Sequence, residues 1–175
     1  MTKFYQRDIF IDTLFNYAKE DSDIIFVSAD FGAPALDKFR EQLPNQFIHS
    51  GISEQHMIDM AAGLSLAGKK VYVYAMAPFI SLRCIEQIKC SLAMMHLPVS
   101  IISVGGGLSY ADAGPTHYSN EDIASIRSLV GIDVISPSDN ISANKIVLEC
   151  INNPKLRFIR LEREPLYQIY NNEDI

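Results

Sequence analysis

The sequence has no apolar run long enough to cross a bilayer or to form the core of a secretory leader, because Lys3, Arg7, Asp8 and Asp12 interrupt its first residues. It also lacks clusters of Lys and Arg, and its formal net charge is -6. Nucleic acid and anionic membranes are therefore excluded as main partners, since both are held by concentrated positive charge. The expected location is the cytoplasm. Cysteine is scarce: Cys84, Cys90 and Cys150 are odd in number and show no C-x-x-C spacing. Apolar, helix-like surroundings predict three reduced, buried thiols rather than a disulfide framework or a zinc site. His49, His56, His96 and His117 show no H-x-x-x-H or H-x-H spacing, so no metal site made by this chain alone is expected. Internal repeats and low-complexity tracts are missing as well.

What is present is a chain of 175 residues with 48% hydrophobic content, enough for one well-buried core. Six short β-rich runs recur along it: "IIFVSA" from Ile24, "QFIHS" from Gln46, "KVYVYAM" from Lys70, "PVSIISV" from Pro98, "IDVIS" from Ile132 and "LRFIRL" from Leu156. Helical patterns fill the spaces between them. Ser53 is read as the cap of a helix with Met57, Met60, Ala61, Leu64 and Ala67 on one stripe and Gly68 as its stop. Asn120 is read as the cap of a second helix, with acids in its first turn and Gly131 at its end. Strands alternating with helices predict an α/β fold, doubly wound, with a mainly parallel six-stranded sheet covered by helices on both faces. The domain is expected to span residues 1–168, and residues 169–175 to form a polar tail.

Ligands of such folds bind beyond the carboxyl ends of the strands, which directs attention to the loops "ADFGAP", "SGISE", "MAPF", "GGGLSYADAGPTH" and "SPSD". The triple glycine Gly105, Gly106, Gly107 lacks the G-x-G-x-x-G spacing and the G-K-[ST] ending of phosphate-binding loops, and is read as a mobile loop. Ser109 in "GLSYA" approximates a nucleophile elbow, but Ala111 stands where a second glycine is required. Glu54 has two readings: an acid at a helix start stabilises that end by about 0.3–1 kcal/mol through the dipole, or it awaits a ligand. His117 in "GPTH", Phe79 and Asp30 likewise divide between local structural roles and ligand contact.

The segments "SADFG", "FIHSGISEQHMIDMAAGLSLAG", "PFISLRCIEQI", "LPVSIISV", "AGPTHYSNEDIASIRSL", "VISPSDN" and "FIRLERE", in that order, resemble the pyrimidine-binding domain of the transketolase family. The likeness extends to deoxyxylulose-phosphate synthase and especially to transketolases encoded as split chains, and it runs from Tyr5 to Gln168. The combination of G-I-x-E-Q-x-M, A-A-G-L and a later G-P-T-H is what carries it.

The resemblance implies thiamin diphosphate as cofactor. Glu54 would hydrogen-bond N1′ of its aminopyrimidine, favouring the imino tautomer that takes the proton from C2 of the thiazolium. Phe79 would stack on the pyrimidine, with Ile52 and Asp30 also against the cofactor. His117 would contact the reacting sugar, and Arg7 and Arg163 would hold a sugar phosphate through their planar forks. Catalysis would thus fall to Glu54 and His117. Two departures bear on substrate choice: Ala113 stands where the family has an acid before G-P-T-H, with Asp112 displaced by one position, and glycines replace an expected histidine near Gly105. No G-D-G occurs in the sequence, so Mg or Ca and the diphosphate would be held by a separate diphosphate-binding domain on a partner chain, in a homodimer or heterotetramer. The activity implied is transfer of a two-carbon ketol unit between sugars or sugar phosphates. The alternatives are a decarboxylating deoxyxylulose-phosphate synthase-like or 2-oxoacid dehydrogenase beta-like subunit, and a non-catalytic interaction module that keeps the fold. A truncated chain and a natural short subunit both fit the absence of a further domain after residue 168.

Overall fold

The computed structural model describes residues 3–30 and 32–171. All six expected strands form one parallel sheet. They are β2 (Ile24–Ser28), β3 (Phe47–His49), β4 (Lys70–Met76), β5 (Val99–Val104), β6 (Asp133–Ile135) and β7 (Arg157–Leu161), in the order β3-β2-β4-β5-β7-β6. Every residue of β2 and β5 is buried, as expected of strands covered on both faces. A second, two-stranded antiparallel sheet pairs β1 (Lys3–Phe4) with β8 (Leu166–Tyr167).

Helices α1 (Gln6–Glu20), α2 (Asp37–Gln42) and α7 (Asn140–Asn152) cover one face. Phe10, Ile11, Leu14, Phe39 and Val147 there pack on Phe26, Tyr74, Ile102 and Ile159. The other face carries α3 (Glu54–Leu66), α4 (Ala77–Ile80), α5 (Ile85–Gln87), which continues as a π-helix over Ile88–Ala93, and α6 (Asp122–Arg127). Met57, Ile58, Ala61, Ile88, Leu92 and Ile126 meet Val27, Val73, Ile101 and Phe158 across it. No helix among the described residues is long and apolar enough to cross a membrane.

Several local expectations change. Ser53 stands at the N-cap of α3, but its hydroxyl donates to the carbonyl of Ser50 at 2.5 Å and makes no cap bond. On the predicted stripe Met57 and Ala61 are buried, Met60 and Leu64 half-buried, and Ala67 exposed. Asn120 caps nothing: α6 begins at Asp122 behind Glu121, because the Asp122 carboxylate accepts the amide of Ile123 and the guanidinium of Arg160. That helix stops at Arg127, ahead of Gly131, whose φ of 85° serves a later turn. Cys84 and Cys150 are buried, whereas Cys90 is exposed, on the solvent side of the π-helix. Of the expected tail, the amides of Ile169 and Tyr170 donate to Asp139 Oδ2 at 2.9 and 2.8 Å, tying it to the start of α7; residues 172–175 lie outside the described residues.

Candidate functional site

The parallel sheet brings the ends of β2 and β4 and the start of α3 to one edge, where Ala29, Asp30, Ile52, Glu54, Ala75, Met76 and Phe79 line a cavity of about 230 Å³. Glu54 is the first residue of α3 and only 3% exposed. Its Oε2 accepts from Arg83 Nη1 at 2.8 Å, and Oε1 takes no hydrogen bond from the described residues. Phe79, on the turn that follows β4, forms the facing wall. Asp30 sits at the rim, where its Oδ1 accepts the amide of Gly32 at 2.9 Å, an Asx-type turn that leaves the carboxylate at the cavity mouth. Ile52 is 78% exposed, and Leu82 and Leu108 are also uncovered.

His117 lies edge-on to Phe79, with ring centroids 5.1 Å apart, and its Nδ1 is 3.0 Å from the Thr116 hydroxyl. The loop that carries it holds two 3-10 turns, Ala111–Ala113 and Pro115–His117. Gly105 and Gly106 admit close neighbours. A Cβ on Gly106 would stand 2.1 Å from Arg160 Cζ, and one on Gly105 2.1 Å from the Tyr110 ring, so this loop is packed down on side chains. Arg160, on β7, donates to Asp122 Oδ2 at 2.9 Å and Glu162 Oε1 at 3.0 Å. Ser109 donates to the carbonyl of Gly106 at 2.8 Å and to Glu162 at 3.1 Å, which fixes the loop; no histidine pairs with its hydroxyl among the described residues.

Arg163 reaches the same loop from the far side, with Nη1 2.7 Å from Asp112 Oδ1 and its guanidinium over the Tyr110 ring at 4.4 Å. Arg7 pairs with Asp8 at 2.7 Å, at the start of α1. Burial raises the Tyr110 phenol above its ordinary range, and Arg163, Asp30, Arg7 and Asp112 all act on it electrostatically. Arg163 lies on Tyr110, and His117 meets both Tyr110 and Phe79, with ring centroids 6.4 and 5.1 Å away.

Two contributors escape the sequence reading. Arg83 touches both Glu54 and Phe79, with Cζ 4.3 Å from the Phe79 centroid; its i, i+4 spacing from Phe79 is a sequence signal for that contact. Tyr110 has no such signal, because Arg163 reaches it only through tertiary folding. Cys84, next to Arg83 in the chain, is pushed up to about 12 by burial and by the nearby Glu54 charge.

A carboxylate oxygen without a bond, opposite an aromatic face and among Ala75, Met76 and Ile52, is chemically matched to a flat nitrogen heterocycle that brings a proton to the acid and a π-face to the ring. Nothing in the cavity matches a diphosphate: Asp30 and Glu54 are its charged lining residues, and no group of three or more metal-ligating side chains exists among the described residues. The space suits part of a cofactor, the aminopyrimidine.

A family model described as the transketolase pyrimidine-binding domain matches residues 3–168. The chain is 37% identical over 169 residues to one of the subunits of apulose-4-phosphate transketolase from Phocaeicola vulgatus, covering 96% of this chain and 54% of that protein. It is 31% identical to a 6-deoxy-6-sulfo-D-fructose transketolase subunit of a Clostridium species, over 96% of this chain and 52% of the relative. It spans about half the length of these curated relatives. Among solved structures, an inactive beta4 tetramer of a split-gene transketolase superposes with a TM-score of 0.86 at 27% identity, over 99% of this chain and 56% of that one. Transketolase from Campylobacter jejuni, at 19% identity and a TM-score of 0.87 over 97% of this chain and 27% of that one, shares the fold. Fold, cavity and sequence likeness agree: the chain belongs to the transketolase family, through its pyrimidine-binding domain.

Proposed function

We propose that this chain supplies the pyrimidine half of the active site of a thiamin diphosphate-dependent transketolase-like enzyme, which moves a two-carbon ketol unit between sugar substrates. The observation that carries the reading is the buried Glu54 carboxylate, with Oε1 unbonded by the described residues, in a cavity of about 230 Å³ that Phe79 also lines. The bound cofactor would supply the carbon nucleophile for ketol transfer. The chain's own residues would prepare it. Glu54 Oε1 would share a proton with N1′ of the aminopyrimidine, and Phe79 would stack on the ring, with Ile52 against it and Ala75 and Met76 excluding water. Asp30 borders the same ring at the mouth. His117, held against Phe79, binds the sugar, and Arg7 and Arg163 lie where a sugar phosphate would end.

A partner chain would bring the diphosphate and its Mg or Ca. The exposed Ile52 on the cavity lining and the exposed Leu82 on the neighbouring depression that shares Phe79 support this, since apolar side chains around a polar centre favour a protein cover. The similar transketolase chains are themselves named as subunits, which supports an assembly of two kinds of chain in the same way. A heterotetramer working in the cytoplasm is the assembly we infer. To test the reading, the chain is mixed with the product of a neighbouring reading frame carrying G-D-G, and thiamin diphosphate binding and ketol transfer are measured by calorimetry and a coupled assay. The pair should bind and turn over, and Glu54→Ala should bind weakly and not turn over; equal turnover by the variant defeats the reading.

A further inference from the structure

Arg83 links the two walls of the cavity without lining it. Its Nη1 donates to Glu54 Oε2 at 2.8 Å, and its guanidinium carbon lies 4.3 Å from the centre of the Phe79 ring. The cavity itself is lined by Glu54 and Phe79 but not by Arg83; Arg83 lines the neighbouring depression, which shares Phe79 with it. The segment that carries Arg83 is in turn held to its surroundings. Gln55, next to Glu54 on α3, donates Nε2 to the Arg83 carbonyl at 3.1 Å, and Cys84 Sγ donates to the Phe79 carbonyl at 3.2 Å. Adjacent residues of one helical turn therefore grip Arg83 by its side chain and by its backbone.

The charges do not explain this arrangement as a source of stability. The Arg83 side chain is 43% exposed and that of Glu54 only 4%, and an ion pair with one member in solvent adds little to folding. A geometric role fits better. A carboxylate on the first turn of a helix, with no second anchor, rotates about its side-chain torsions and presents either oxygen to the cavity. With Oε2 engaged by Arg83, Oε1 is the oxygen left for a ligand. The same flat guanidinium lies on Phe79, so the ring and the carboxylate are set at one spacing by one group. A lysine has a point charge and no planar face, and does only half of this.

Building on the proposed function, we propose that Arg83 is a positioning residue for the cofactor's aminopyrimidine: it fixes the Glu54 carboxylate by one oxygen and the Phe79 ring by one face, so that the seat exists before the ligand arrives. Arg83 touches the ligand's two contacts and acts through them. The opposite role, an occupant that must leave before the ring enters, predicts the opposite sign on its removal.

The test uses the full chain and the isolated pyrimidine, 4-amino-5-hydroxymethyl-2-methylpyrimidine, as probe. Binding is followed by NMR through the Phe79 ring and Met76 methyl signals. Arg83→Met should weaken binding about tenfold, the loss of one charge-assisted anchor, and Arg83→Lys by clearly less. The thermal midpoint of Arg83→Lys, which keeps a cation beside the buried Glu54, should stay within about 2 °C of the parent. Because Arg83 acts through Glu54 and Phe79, the loss in the double variant Glu54→Gln/Arg83→Met should be smaller than the sum of the two single losses. Unchanged or tighter binding by Arg83→Met, additive losses in the double variant, or an Arg83→Lys midpoint that falls in step with affinity each overturn the proposal. Failure of the underlying reading looks different: the probe leaves the Phe79 and Met76 signals unmoved in the parent chain, or Glu54→Gln and Phe79→Ala bind it as the parent does. Either result overturns both.

Discussion

Arg163 closes its fork on Asp112, with 2.7 Å between Nη1 and Oδ1, while its guanidinium lies on Tyr110. If Arg163 serves a phosphate-terminated sugar as proposed, its guanidinium is already partnered by a carboxylate of the same chain, and it holds the Asp112 carboxyl below its ordinary range. Both groups face solvent, so the pair yields to a better anion. In the reconstituted assembly Asp112→Asn should raise kcat/KM for phosphate-terminated sugars by about threefold to tenfold, the worth of one charge-assisted bond in partial solvent. Neutral sugars should show no gain. An equal gain for both classes, in parallel kinetic series, removes Arg163 from substrate recognition.

Gly106 is the floor on which Arg160 rests. An added Cβ would meet Arg160 Cζ at 2.1 Å and force the guanidinium away from Asp122, which is buried. Parting a buried charge pair costs about 3 kcal/mol. Urea unfolding of Gly106→Ala should therefore show a midpoint lowered by that cost divided by an unchanged m-value, and a variant as stable as the parent shows that Arg160 has somewhere else to go.

Asp139 closes a capping box with Ser142 at the start of α7 and also receives the amides of Ile169 and Tyr170. Burial pushes its carboxyl upward, but the amides of Ser142, Tyr170 and Ile169 prevail and hold it below the ordinary range. A carboxyl depressed in the folded state adds stability that is present above its unfolded pKa, about 3.9, and is lost as pH falls through the lower, folded value. Asp139→Ala should cost about 1 kcal/mol or more near neutral pH. The gap between variant and parent should narrow below pH ~4 in acid unfolding monitored by circular dichroism. A constant gap across that range assigns the loss to packing instead.

Thiol chemistry separates the three cysteines. Cys84 is buried and pushed up to about 12, and Cys150 is buried and raised, first by burial. Cys90 alone of the three is exposed. Ellman's reagent at pH ~8, close to a free thiol's own pKa, should therefore find one fast-reacting thiol in the folded chain and three after denaturation. Cys90→Ser should abolish the fast phase.

The sheet was legible because β-branched runs between polar turns have few other places to go, and all six runs became its strands. The β1 and β8 pairing was not, since two residues carry no periodicity and meet only through the register of Lys3 with Tyr167. Helix starts misled where a polar side chain had a stronger tertiary claim. The Ser53 hydroxyl prefers the Ser50 carbonyl, and the Asp122 carboxylate is committed to Arg160. At the candidate site, local pattern left Glu54 undecided between helix-dipole and ligand roles; family likeness directed the choice, and its burial together with an unbonded Oε1 is a property of packing that no window of sequence contains. Arg83 was within reach through its spacing from Phe79, but its hold on Glu54 spans 29 positions.

The small ribbon of Lys3–Phe4 and Leu166–Tyr167 places the chain's entry and exit at one corner of the domain. A unit whose two leads emerge side by side can be spliced into a longer polypeptide, or carried as a separate piece, without repacking its interior. Bridging the leads with a short glycine-rich link and opening the chain in the exposed turn near Gly68 should give a permuted protein with the same sheet.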